Sequence, residues 1–162
     1  YDTVKVYPIQ ALPVKFEGEY IQRVYCSPLP RARSTASQLF DKKTEILYDS
    51  VFIEFANEII PVPWIRFPLQ FWTVSSRLLW MAGLHSDQIP GFPAEKVRAR
   101  EAALMLARIA GREKRTILVA HGFMNRYIIK FLKKQGWKHS FDGGYGYTNV
   151  QVMSKIIIKD KP

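Results

Sequence analysis

The sequence predicts an α/β domain, three layers of α/β/α with a mainly parallel central sheet, and three observations carry that expectation. Short β-prone runs alternate with segments of helical spacing, and those helical segments are long enough to act as crossovers. One run, Thr116 to Ala120, is continuously apolar and β-branched, as in strands buried on both faces. A chain of 162 residues has room for one ordinary domain, so 1–162 is read as a single domain.

The elements follow in order. Residues 1–20, with Pro8, Pro13 and Gly18 and no sustained period, read as an irregular arm. Val24, Tyr25 and Cys26 form a short strand, Ser27 to Pro30 a tight loop, and Arg31 to Phe40 a helix with Ala32, Ala36 and Leu39 near helical spacing. Ile46 to Tyr48 suggests a second strand. Asp49 to Ile60 sets Asp49, Glu54 and Glu58 among apolar residues, and Pro61 and Pro63 then interrupt regular structure. Large apolar side chains at 67, 71, 74, 78 and 81 predict an amphipathic helix over Phe67 to Leu84, ended by Gly83. Residues 61–92 are read as a cap or insertion, whose aromatics would favour a substrate with an apolar portion.

Ala94 to Ala110 is predicted as a helix, with Pro93 at its first position, Glu95 at its positive end and Gly111 as C-terminal cap. Val97, Leu104, Leu106, Ala107 and Ile109 are its expected inner face. The 116–120 strand runs directly into His121-Gly122, after which Phe123 to Lys134 resumes helical spacing. Gly143 to Gly146 reads as a turn and Thr148 to Ile158 as a closing strand.

Composition narrows the function classes. Lys plus Arg number 24 against 14 Asp plus Glu, a net charge of +10 that points to anionic partners. Cys26 is the only cysteine, so an intramolecular disulfide and a Cys-rich metal site are excluded, and a reducing, cytoplasmic setting is the expectation. The most apolar stretch, Trp64 to Leu84, is broken by Arg66, Gln70 and Arg77 and does not read as transmembrane. There is no Gly-x-Ser-x-Gly elbow, phosphate-binding Gly-x-x-x-x-Gly-Lys-Ser/Thr loop or His-Glu-x-x-His helix, so serine hydrolase, P-loop and zinc-protease chemistry are set aside.

Ligands of open parallel sheets gather outside the carboxyl ends of the strands, where helix N-termini present free N–H groups to anions. Two segments have that build. Val-Tyr-Cys-Ser-Pro-Leu-Pro-Arg (24–31) ends a strand and places Arg31 at a helix start. Ile-Leu-Val-Ala-His-Gly (117–122) puts His121 at the end of a strand expected to be central, with Gly122 allowing close backbone approach. If the two strands are parallel, Arg31 and His121 share one edge and one phosphate.

These residues also carry a resemblance. Cys-Ser-Pro-Leu-Pro-Arg-Ala-Arg-Ser-Thr-Ala (26–36) resembles the Ser-x-Leu-x-Arg-Ala-x-x-Thr-Ala segment of the histidine phosphatase superfamily, which includes the phosphoglycerate mutases. Leu-Val-Ala-His-Gly-Phe-Met-Asn-Arg (118–126) resembles that family's second histidine segment, and the stretch from Asp49 to Glu54 its acidic segment. The resemblance implies a phosphoglycerate mutase-like fold and a phosphohistidine mechanism on a small phosphomonoester, without metal or organic cofactor. It implies Arg31 as a phosphate-pocket arginine, His121 as the second pocket histidine, and Glu54 as proton donor to the leaving group; by position alone, Ser27 either offers its hydroxyl or backbone to the phosphate or makes the turn, and Gly122 lets the backbone approach it. Hydrolysis is favoured over mutase action, because the chain lacks the insertions expected of the larger mutases.

The family's nucleophilic histidine lies in an Arg-His-Gly motif upstream of the Ser-Pro-Leu segment, and no Arg-His-Gly occurs among these 162 residues. Two readings stay open: a first strand and its motif preceding Tyr1, or a relative without the nucleophile that binds phosphate but does not turn it over. The first is favoured, since the chain does not start with Met and a parallel sheet without its first strand would expose buried neighbours. Nucleic-acid binding is not expected, because no recognised motif or basic-aromatic array accompanies the charge. His85 and His139 are taken as surface residues, and Lys130, Lys133, Lys134 and Lys138 as a solvated basic face.

Overall fold

The computed structural model describes residues 21–56, 69–144 and 149–156, and for 69–73 the backbone alone. The expected arm at 1–20, the prolines at 61 and 63, the Trp72 side chain and Tyr145 to Thr148 of the expected turn lie outside the described residues. The chain divides into two compact units, Tyr1–Glu54 with Ala99–Pro162, and Phe55–Arg98. The segment read as a cap or insertion overlaps the second.

In the first unit, β1 (Arg23–Cys26) lies between β2 (Glu45–Tyr48) and β3 (Leu118–Val119) and pairs with both in parallel. This is the α/β arrangement with a parallel sheet that the sequence predicts. The register sets Cys26 opposite both Tyr48 and Val119, so all three strands end at one edge. The ladder extends past the strands, with Ser27 N–H donating to the Val119 carbonyl at 2.9 Å and Asp49 N–H to that of Cys26 at 3.1 Å. Among the described strands β1, not β3, is central. β3 is short and half-buried where burial on both faces is expected, and among the described residues it pairs with β1 alone.

Helix α1 (Pro30–Leu39) starts on a proline, whose missing N–H and fixed φ suit a first helical position. Its Ala32 and Ala36, one turn apart, pack with Cys26 and against Phe40, Ile46 and Val119. Small alanines let the helix sit close to the strands, so its first turn is held where β1 ends. The acidic stretch after β2 becomes a single 3-10 turn, Ser50–Phe52, with the Asp49 carboxylate accepting the Val51 N–H at 2.8 Å. Phe52 is fully buried and meets Tyr25 edge to face at 6.4 Å.

Helix α2 (Leu69–Met81) belongs to the second unit and ends on Gly83, whose φ of +95° is one that glycine adopts without steric cost. That unit is organised by aromatics: Trp80 lies 5.2 Å from Phe92 and 6.2 Å from Phe55, and the Trp80 indole N–H donates to the Pro90 carbonyl at 3.1 Å. Glu95 is buried and paired with Arg98, whose guanidinium lies over the Phe55 ring at 5.8 Å.

Helix α3 (Phe92–Glu113) outruns its predicted end. Gly111 does not cap it. The helix continues to Glu113, which pairs with Arg23 at 3.0 Å, and Lys114 takes the left-handed position at φ 63°. Its inner face also differs from expectation. The buried stripe is Ala99, Ala102, Ala103 and Leu106, while Val97 and Leu104 are 56% and 43% exposed. Both faces satisfy helical spacing, and the close-packing one is alanine, which hydrophobicity alone ranks below Val and Leu.

Helix α4 (Gly122–Lys134) buries Met124, Ile128, Ile129 and Leu132. After it, β4 (Lys138–Asp142) and β5 (Gln151–Ser154) form an antiparallel pair separate from the parallel sheet. The predicted closing strand is β5; β4, with the polar sequence Lys-His-Ser-Phe-Asp, was not expected. His139 lies on it half-buried, with Nδ1 3.4 Å from the Asp142 carboxylate, and His85 is half-buried with Nδ1 donating to the Ser86 carbonyl at 2.9 Å. Both keep part of their surface in water, as expected, but each has a polar partner.

Candidate functional site

The parallel register brings the two sequence motifs together. Ser27, one residue past β1, is fully buried, and His121, two residues past β3, is 8% exposed. The imidazole Nε2 lies 2.9 Å from the Ser27 hydroxyl. That hydroxyl also accepts the Leu29 N–H at 3.4 Å, which holds the loop between β1 and α1 in place. Arg31, the second residue of α1, is exposed at the same sheet edge.

His121 is the residue before the first turn of α4, with extended backbone and a carbonyl that accepts the Asn125 N–H at 2.8 Å. Its side chain caps nothing and points instead to Ser27. The capping is done by Glu54, from 70 residues away in sequence: Oε1 accepts the Met124 N–H at 2.8 Å and Oε2 the Phe123 N–H at 3.2 Å. A carboxylate at this position meets two of the N–H groups that a helix start leaves without intrahelical partners, and it lies at the positive end of the helix dipole. Gly122, first residue of α4, is exposed beside them.

Electrostatics follow from burial. The His121 imidazole is held below its ordinary value by burial, which outweighs the opposing Glu54 carboxylate; the Arg31 cation adds a smaller lowering. At neutral pH the ring is therefore neutral, with one nitrogen donating and the other accepting. The Glu54 carboxylate and the Arg31 cation, from different segments of the chain, thus both act electrostatically on His121. The Cys26 thiol, which donates to the Ser27 carbonyl at 3.2 Å, is pushed up to about 11 by burial, partly offset by Arg33. A thiol so placed is protonated and inert at neutral pH. Arg33 itself stacks over the Tyr48 ring at 4.9 Å. Among the described residues no group of three His, Cys, Asp or Glu side chains is placed to hold a metal ion.

All five residues singled out in the sequence thus lie where β1 and β3 end and α1 and α4 begin. The parallel strands predict that Arg31 and His121 share an edge; the Ser27–His121 bond is an addition from the structure. The Glu54 contact with α4 left no local signal, because its partners are backbone groups far along the chain.

The profile of the histidine phosphatase superfamily (branch 1) matches residues 8–155. The chain belongs to that family. Membership supports a phosphatase- or mutase-like function. No curated protein and no solved structure matches the chain. The family match spans both sequence motifs and the acidic segment between them. Among the described residues, no helix is long and apolar enough to cross a membrane.

Proposed function

We propose that this histidine phosphatase superfamily member hydrolyses a small phosphomonoester, with the phosphoryl group held between Arg31, His121 and the Gly122 N–H. The observation that carries the reading is the buried His121 at the start of α4, oriented by Ser27, with the Arg31 cation near enough to depress its protonation. Phosphoryl transfer is catalysed mainly by positioning and by positive charge around the equatorial oxygens. A guanidinium and a helix start supply that charge, and an arginine fork fits two phosphate oxygens better than a lysine does.

The bound dianion reverses the protonation balance at His121. Its negative charge offsets that of Arg31 and favours imidazolium, so phosphate binding takes up a proton and places a hydrogen-bond donor against the phosphoryl oxygens. Ser27 is completely buried, so its part is to fix the imidazole rather than to reach the substrate. Glu54, with both oxygens on the α4 backbone, orients that same helix start; giving a proton to a leaving group requires it to release one of those bonds.

A second reading is a phosphate-binding relative that uses the same Arg31 and His121 pocket without turnover. Phosphate release from a panel of phosphomonoesters, measured beside His121→Ala and Arg31→Ala, separates the two. Release that falls in both variants supports hydrolysis. Phosphate binding that depends on Arg31 without release supports the second reading, and neither binding nor release removes both.

A further inference from the structure

We propose that the groove between α3 and α4 is a second anion site, separate from the His121 pocket, that takes a single amphiphilic anion: a charged head on an apolar body. Arg100 and Leu104 of α3 and Phe131, Lys134 and Gln135 at the end of α4 line a groove of about 320 Å³. At roughly 30 Å³ per small group, that is room for about ten non-hydrogen atoms, at the lower end of small-ligand sites. α4 is 13 residues long, which puts this groove about 20 Å from His121 at a rise of ~1.5 Å per residue.

The lining has two parts that call for different halves of one ligand. Leu104 is 43% exposed and Phe131 half-buried, so apolar surface faces water there. Arg100 and Lys134 flank it from different helices, and the Lys134 ammonium lies 5.7 Å from the centre of the Phe131 ring. Lys155 adds a third cation nearby, its ammonium donating to the Gln135 carbonyl at 2.7 Å. Among the described residues no acidic side chain lines the groove, and α4 contains none at all. Among the described residues neither Arg100 nor Lys134 pairs with a carboxylate, and the positions three and four residues from Arg100 are Lys96, Val97, Ala103 and Leu104.

Favourable charge at a helix C-terminus accounts for Lys133 and Lys134. It does not account for Arg100, which lies within α3 and borders the same groove. Exposed cations hold a small inorganic ion weakly, because water screens them, and an open groove of this size holds an uncharged apolar molecule weakly for want of buried area. An anion with an apolar body satisfies both parts at once.

The probe is 1-octanesulfonate, whose charge is independent of pH and which offers no phosphoester to hydrolyse. It is titrated into the ¹⁵N-labelled 162-residue protein below its micelle concentration, beside methanesulfonate and 1-octanol. The expected result is saturable shifts confined to amides of 100–104 and 131–136, with at least tenfold weaker binding of either control. Arg100→Glu and Lys134→Glu should each weaken binding at least fivefold, and His121→Ala should leave it unchanged. Shifts centred on His121, equal binding of a control, equal binding by the charge-reversed proteins, or no saturable shift would each overturn the proposal. Arg100→Gln and Lys134→Gln, milder changes at exposed positions, repeat the test should a reversal impair folding.

Discussion

At its N-terminal end α4 is held by groups already bonded to one another, whereas its C-terminal end presents cations to water. His121 and Ser27 are buried, and Glu54 is fastened to two backbone N–H groups; Lys130, Lys133 and Lys134 are exposed. The same helix dipole favours an anion at the first end and cations at the second. The difference lies in what fixes the geometry. At the His121 end the Ser27 hydroxyl, the imidazole Nε2 and the Glu54 carboxylate each have a partner at hydrogen-bond distance, so a substitution there leaves another group unsatisfied. At the lysine end a substitution removes a charge that water was already screening.

The largest effect that would sharpen this contrast is kinetic. If the phosphomonoesterase reading holds, Arg31→Ala should lower kcat/KM by about 100-fold or more, the scale seen when a group stabilising transition-state charge is removed. Arg31→Lys should recover only part of it, since an ammonium does not reproduce the fork. Equal activity of Arg31→Ala and the parent protein would break the comparison at its most sensitive point.

Next comes stability. Glu54→Ala should cost about 2–3 kcal/mol in urea unfolding, because it strips two charge-assisted bonds from the start of α4. Glu54→Gln, which keeps one acceptor, should cost about half as much. Ser27→Ala should cost about 1 kcal/mol and alter which imidazole nitrogen of His121 carries the proton, read by ¹⁵N shifts of the ring. At the other end, Lys133→Gln or Lys134→Gln should change stability by no more than about 0.5 kcal/mol, and less as salt is raised. A larger loss at the lysine end than at Glu54 would invert the account.

A pH effect also belongs to the buried end. Burial, against the opposing Glu54 carboxylate and with a smaller push from Arg31, keeps the folded His121 below its ordinary value of 6.5, so as pH falls the unfolded chain binds that proton first. The contribution is therefore complete above about 6.5 and declines as pH drops from there toward the lower folded-state value. His121→Gln should flatten the stability profile in that window relative to the parent, while Lys134→Gln should not.

How much of this was legible in the sequence depends on range. The strands at 24–26, 46–48 and 116–120, the helices after them, and the placing of Arg31 and His121 at one sheet edge follow from local pattern and from the rule that parallel strands end together. Glu54 could be named as an acid but not as the cap of α4, since nothing near Phe123 and Met124 announces a partner so far upstream. The inner face of α3 was misread because Val97 and Leu104 outrank Ala99, Ala102 and Ala103 on hydrophobicity, although close packing prefers the alanines. Gly111 signals a stop, yet the helix runs on to Glu113 and it is Lys114 that takes the left-handed position. β4 gave no period-two apolar signal; its pairing with β5 supplies what its sequence does not.

The central claim is that His121 and Arg31 together hold a phosphate. The most direct test follows the His121 ring proton shifts through a pH titration by NMR, with and without excess inorganic phosphate, in the parent protein and in Arg31→Ala. The account predicts that phosphate moves the His121 titration to higher pH and that Arg31→Ala abolishes the movement. A His121 titration that phosphate leaves unmoved, or moves equally without Arg31, would contradict it.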